Sequence, residues 1–196
     1  MYTGSIVNLN NYIDMKTKWI IFCLLFVSVS ALSQENAITL SGGYAFANIE
    51  DADEKGTGWR INGLYEFNMM GGRFAHGVAA GYIGISATDE EGLQTTESHI
   101  NSFPVYYAPK FMFGNEKVKG FAKGALGFQI AGLKREGLVT VDDTDMGFYG
   151  GGGAGLMFFL KENIFLNAEY EIAWASNSFY KDGWMNAAMI GIGFKF

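Results

Sequence analysis

The chain is nearly without cysteine, proline and histidine: one, two and two in 196 residues. The single Cys23 lies inside the one long apolar run, Trp19 to Ala31, so whatever follows that run has no disulfide, no thiol chemistry and no cysteine metal site. Basic residues are also short, with 14 Lys and Arg against 20 Asp and Glu and a net charge of −6. That balance argues against nucleic acid as a partner. Runs long enough for a membrane helix are missing as well. The Trp19–Ala31 stretch falls short of the roughly 20 apolar residues that a membrane helix needs.

What the run does have is a leader's flanks. Lys16 and Lys18 precede it, and Ala31-Leu32-Ser33 follows with a small-x-small pattern, the layout of a secretory signal peptide. Cleavage after Ser33 is expected, with Gln34 as the new N-terminus. An uncleaved N-terminal anchor is the alternative. Ile20-Ile21-Phe22 before Cys23 lacks the small residues of a lipoprotein box. Met15-Lys16-Thr17-Lys18 reads as a natural start, and residues 1–14 as an upstream extension. The division expected is therefore 1–33 as extension and signal peptide, and 34–196 as one domain. Loss of Lys16, Lys18 and Asp14 makes the domain slightly more negative than the whole chain.

Beyond Ser33 the dominant signal is a period of two, the side-chain repeat of a strand. It is clearest at the end, where Ala188, Ile190, Ile192, Phe194 and Phe196 share one face and Met189, Gly191, Gly193 and Lys195 the other. Eight such segments are expected: Ala37 to Ala47, Trp59 to Met69, Phe74 to Ser86, Asn101 to Phe113, Gly120 to Ala131, Phe148 to Phe159, Ile164 to Ala175, and Trp184 to Phe196. In the third, Val78, Ala80 and Tyr82 are expected outside, but Ile83 and Ile85 leave its facing open. No helix is expected. The connections alternate. Short turns follow segments two, four and six (Met70-Gly71-Gly72-Arg73, Gly114-Asn115-Glu116-Lys117, Lys161-Glu162-Asn163). Longer polar loops follow the others. Short turns at one end and long loops at the other mark an all-β, eight-stranded, antiparallel, up-and-down transmembrane β-barrel. The even strand count puts both termini at the short-turn end, expected in the periplasm.

Alternation alone does not say which face is inward, since a soluble lipocalin-like carrier would show the mirror pattern. Three features favour lipid outside. Arg60, Glu66, Lys110, Lys123, Glu169 and Glu171 sit at mid-strand on the polar face. A Lys or Arg there facing lipid would cost about 2–4 kcal/mol. Trp59, Trp174 and Trp184 lie near long-loop strand ends, as interfacial aromatics do. Phe67, Phe74, Phe113, Phe158, Phe165 and Phe196 gather near the other end. The third is the leader with the terminal Phe.

Taken with the leader and the eight strands, Ser102-Phe103-Pro104-Val105-Tyr106-Tyr107-Ala108-Pro109-Lys110-Phe111, Gly124-Ala125-Leu126-Gly127-Phe128 and the closing Gly-Phe-Lys-Phe resemble the small outer-membrane β-barrel domain family, of the OmpA/OmpX-like and porin-family type. The likeness spans roughly Ala37 to Phe196. It implies an outer-membrane address, contact with outer-membrane lipid, and recognition of Phe196 by the barrel-assembly machinery. The peptidoglycan-binding role of full-length OmpA proteins does not carry over, since no such domain follows Phe196.

No catalytic, cofactor-binding or metal site is assigned from the sequence, and no cofactor is expected. Gly150-Gly151-Gly152-Gly153-Ala154-Gly155 satisfies G-x-G-x-x-G, but it leads into Leu156-Met157-Phe158-Phe159, a continuing strand, where a dinucleotide loop needs a helix. Asp51, Asp53 and Lys55-Gly56 have the opening of a calcium loop, but Lys55 and Asn62 stand where ligands are required. The acidic loops (Glu50, Asp51, Asp53, Glu54; Asp89, Glu90, Glu91, Glu97; Asp142, Asp143, Asp145) are read as solvated faces rather than cation bridges. His99, near the outer end with Ser98, Ser102 and Glu97 beside it, is the one place for a lipid-modifying enzyme; His76 is at the wrong end. The lumen charges, with Lys195, are read as mutually satisfied inside a plugged barrel, because unpaired buried charge is costly.

The reading is a monomeric, non-enzymatic outer-membrane barrel with a packed charged lumen and acidic outer loops, in a structural, envelope or surface-interaction role. Its alternatives are a narrow porin-like channel, a lipid-modifying enzyme, and a soluble carrier.

Overall fold

The computed structural model describes residues 36–49, 55–69, 73–91, 94–136 and 141–196. They form β1 (Asn36–Ile49), β2 (Lys55–Met69), β3 (Phe74–Glu91), β4 (Gln94–Tyr107), β5 (Lys110–Gly114), β6 (Val118–Glu136), β7 (Val141–Lys161), β8 (Ile164–Ala175) and β9 (Tyr180–Lys195). The expected leader, residues 1–33, lies outside the described residues.

β4 and β5 occupy one position in the wall. The ladder breaks at Ala108-Pro109 because proline has no N–H to donate. The gap is bridged by Ala108 N–H to Gly77 O (2.8 Å) and Gly124 N–H to Pro109 O (2.8 Å). Neighbours in sequence pair antiparallel all the way round, and β1 pairs with β9, so eight wall positions close on themselves. The seam is locked at the turn end by a reciprocal backbone pair, Asn36 N–H to Phe196 O (3.0 Å) and Phe196 N–H to Asn36 O (2.9 Å).

The apolar faces point outward. Leu40, Ile61, Val105, Phe128, Ile172 and Ile190 are exposed, Ile190 at 75%. Such a continuous apolar exterior is incompatible with a water-soluble carrier and matches a lipid-facing band. Trp59, Trp174 and Trp184 stand outward toward the hairpin end. Tyr65, Phe67, Phe74, Tyr107 and Phe196 gather toward the turn end, where Tyr65 meets Phe67 edge-on at 4.8 Å. β3 resolves as expected at Val78, Ala80 and Tyr82, with Ile83 and Ile85 inward and fully buried.

Three expectations need correction. Phe165 is not part of the turn-end aromatic girdle. It points into the lumen, buried, and packs with Met112, Phe121 and Met157. Gly193 opposite it makes this possible, since a Cβ there would overlap the Phe165 ring. The outer connections are also not long loops. β3 and β4 stay paired from Ser86↔His99 out to Glu91↔Gln94, and β6 and β7 out to Arg135↔Val141. A ladder continues wherever both strands keep their partners, whatever the polarity of the side chains, so loss of the apolar alternation did not end the strands. Finally, the connection after β8 is brief, because β9 begins at Tyr180. A bulge with positive φ at Asp182 (60°) and Gly183 (74°) sits where the alternation appeared to start.

Candidate functional site

The barrel carries two polar constellations, one inside and one on the wall. The inner one is a ladder of opposite charges strung across the lumen by inward positions of four strands. From β2, Arg60 Nη1 meets Glu171 Oε1 of β8 at 2.7 Å, and Glu66 Oε1 meets Lys110 Nζ of β5 at 2.7 Å. From β6, Lys123 Nζ meets Glu171 Oε2 at 2.9 Å and pairs also with Glu169. Tyrosines complete the set. Tyr149 donates its hydroxyl to Glu171 Oε1 (2.6 Å), and Arg60 Nη2 donates to Tyr106 Oη (3.1 Å), which in turn donates to Asn62 Oδ1 (3.1 Å). Three positive groups face three carboxylates, so the ladder is neutral. Arg60 and Glu171 are each only 1% exposed. Charges so desolvated are tolerable only when paired and hydrogen-bonded.

Apolar layers close the lumen on both sides of the ladder. Toward the hairpin end lie Ile49, Ile83, Ile85, Ile100, Phe179 and Met185. Toward the turn end lie Ala37, Ala75, Met112, Phe121, Met157 and Phe165. Eight strands enclose a space about the size that side chains fill. Every mid-strand charge expected in the network joins it. Lys195 lies at the turn end, with its ammonium over the Phe159 ring (5.8 Å to the centroid).

The glycine run of β7 belongs to the same packing problem. Gly153 and Gly155 face inward, where a Cβ would press on Glu169 Oε1 and the Phe121 ring respectively. The run is a strand, as expected, and it leaves room for one rung of the ladder and one plug residue.

On the outer wall, the sequence placed His99 beside Ser98 and Ser102. The structure separates them. Ser98 and Ser102 point inward and are buried, and Ser102 Oγ is 2.7 Å from Tyr180 Oη. The hydroxyl that meets His99 comes from the neighbouring strand. Ser86 is its register partner, with Oγ 2.8 Å from His99 Nδ1. Glu97, two residues before His99 and so on the same face, has Oε2 3.6 Å from His99 Nε2. Sequence reasoning missed Ser86 because the link is a cross-strand pairing thirteen residues apart, in the strand of uncertain facing. His76 sits outward at the turn end, edge-on to Phe74 at 4.8 Å and stacked on Tyr107.

The acidic group Glu50, Asp51, Asp53 and Glu54 lies outside the described residues. In the β6–β7 hairpin, Asp143 Oδ1 accepts the Thr144 N–H at 2.8 Å. Among the described residues no acid or histidine cluster has the arrangement of a metal site.

A closed eight-position antiparallel wall, apolar outside and charge-paired inside, defines a transmembrane β-barrel of the outer-membrane type. The chain belongs to the outer membrane protein β-barrel domain family, whose model matches residues 20–196, and its location is the outer membrane. Solved structures agree on the fold. The attachment invasion locus protein Ail of Yersinia pestis is 23% identical, covering 84% of this chain and 100% of Ail at a TM-score of 0.52. Neisserial surface protein A is 13% identical, covering 82% and 97% at 0.60. The N-terminal β-barrel domain of Pseudomonas aeruginosa OprF is 12% identical, covering 84% and 100% at 0.50. No curated protein matches the chain.

Proposed function

We propose that this chain is a plugged, non-conducting outer-membrane barrel that acts through its hairpin end, as a structural and surface-interaction protein, with a lumen that does no catalysis. A neutral ladder between two apolar layers leaves an ion neither a continuous water path nor a net charge to follow, which speaks against the narrow-channel alternative.

The observation that carries the surface role is the unequal length of neighbouring strands. β7 reaches out to Val141, whereas β8 stops at Ala175, paired with Tyr149. Among the described residues, Val141 to Gly147 of β7 pairs only with β6. Phe148 makes the last contacts on the β8 side, donating to Ser176 Oγ (2.7 Å) and accepting from Ser176 N–H (3.0 Å). By the period of two, Met146, Thr144 and Asp142 turn their backbone groups toward the side where no described strand pairs. Such an edge is a template for an added strand. Asp143 blunts it by holding the Thr144 N–H, so a partner strand must displace that carboxylate.

In this reading the leader ends at Ser33, both termini face the periplasm, Phe196 is read by the assembly machinery, and the hairpins face outward. The test uses the absence of cysteine after the leader. Thr144→Cys on intact cells should react with a membrane-impermeant maleimide, and wild type should not. Labelling only after lysis would reverse the orientation. Purified protein in planar bilayers should show no steady conductance; open-channel steps would replace this reading with the channel.

A further inference from the structure

We propose that Ser86, His99 and Glu97, with Asn101, form an ester-hydrolysing site on the outer wall, directed at acyl-ester linkages of membrane lipids. The site adds a chemical activity to the hairpin end that the lumen does not provide.

The placement comes from the ladder. β3 and β4 pair Ser86 with His99 and Gly84 with Asn101, and these four positions share the outward face. Ser86 is exposed, and the side chains of His99 and Glu97 are 41% and 56% accessible, so a substrate can reach them. A surface cavity of about 380 Å³ opens at this place, lined among others by Trp59, Gly84, Ser86, His99, Asn101 and Lys134.

The groups fit the roles of a nucleophile, its base, and the acid that orients the base. With Nε2–H turned toward Glu97, the Nδ1 lone pair faces the Ser86 hydroxyl at 2.8 Å. The 3.6 Å from Nε2 to Glu97 is longer than a hydrogen bond, and such contacts tighten when substrate binds. Tyr82 donates its hydroxyl to Asn101 Oδ1, which leaves the Nδ2 end of that amide as a donor for a developing oxyanion.

The position selects the substrate class. Trp59, Tyr82 and Phe103 form a contiguous aromatic strip on the turn-end side of the cluster, with ring centroids 4.7 and 4.9 Å apart. Aromatics of this kind mark the boundary between acyl chains and headgroups. The ester linkages of membrane lipids lie at that boundary, so an acyl chain along the strip brings its carbonyl toward Ser86. Lys134, the register partner of His99 on β6, lines the same cavity. In the reaction Ser86 Oγ bonds to the ester carbonyl carbon and its proton passes to His99 Nδ1. The tetrahedral oxyanion collapses, breaking the bond to the lipid alcohol, which leaves with the proton from His99. Water, deprotonated by His99, then cleaves the acyl-Ser86 ester to free fatty acid.

The experiment compares refolded mature protein with Ser86→Ala and His99→Gln, each first shown to keep the heat-dependent gel mobility of a closed barrel. A fluorophosphonate should label wild type and not Ser86→Ala. Fatty acid release should be measured from phosphatidylethanolamine vesicles and, separately, from acylated glycolipid micelles. At least one lipid should be cleaved, at a rate about 10²-fold or more above both variants, and which one is cleaved identifies the natural source. No labelling and no release from either lipid, or release unchanged in Ser86→Ala, overturns the proposal and leaves a cross-strand hydrogen bond. Either result is independent of the maleimide and conductance tests of the surface-interaction reading.

Discussion

The lumen ladder and the wall cluster use similar chemistry to opposite ends. In the ladder each charge is desolvated and matched, and its hydrogen bonds run to other fixed groups: Arg60 to Glu171 and Tyr106, Lys123 to Glu171 and Glu169. In the wall cluster the contacts are fewer and the groups are accessible, with one hydrogen bond between Ser86 and His99 and a longer approach from Glu97. A polar group that must be satisfied by its neighbours holds a fold together. One that water or lipid can still reach is available for chemistry. The contrast predicts that stability responds strongly to the ladder and activity only to the wall.

The largest effect is expected for Glu171→Ala. It removes the carboxylate shared by Arg60, Lys123 and Tyr149, leaving Arg60 buried without a carboxylate and Lys123 with Glu169 alone, which costs roughly 3–5 kcal/mol. Urea unfolding in lipid or detergent measures it, and a loss below about 1 kcal/mol would mean that water enters the lumen freely. Next comes the outer wall. Ile190→Lys places a charge on the lipid-facing band, at an expected cost of about 2–4 kcal/mol near the midplane. A soluble barrel would tolerate it or gain, so refolding into vesicles decides the facing of the wall.

A double variant with a smaller net effect sharpens the view of the ladder. Lys110→Met alone should cost several kcal/mol by leaving Glu66 buried and unpaired. Lys110→Met combined with Glu66→Leu should return to within about 1–2 kcal/mol of wild type, since replacing a whole buried pair by apolar groups is close to neutral. A double variant no better than the single would show that the 2.7 Å pair contributes more than its mutual satisfaction. The smallest stability effect belongs to the wall cluster. Ser86→Ala should change unfolding by no more than about 0.5 kcal/mol, as exposed substitutions do, while abolishing fluorophosphonate labelling. A large destabilisation there would put Ser86 with the structural residues instead.

Much of this architecture was legible in the order of the residues. A period of two forces alternate side chains to opposite faces. Mid-strand charges such as Arg60, Lys110 and Glu171 then identify the face that cannot meet lipid, and the apolar partners Ile38, Leu40 and Ile190 identify the one that must. Short turns such as Lys161-Glu162-Asn163 gave the strand count. These are local properties, fixed by spacing along one chain.

What only the tertiary structure decided depends on register and closure, which join residues far apart in sequence. Phe165 turned inward because Gly193, on the next strand, left space for its ring. The hairpins extended past the apolar pattern because β3 with β4 and β6 with β7 kept their partners. The ladder took its specific pairs from wall curvature, which brings β2 opposite β8 across the lumen. His99 drew its hydroxyl from Ser86 across the sheet and not from Ser98 or Ser102 beside it, because neighbours at odd spacing in a strand face opposite sides of the wall and Ser86 is the outward partner in the ladder.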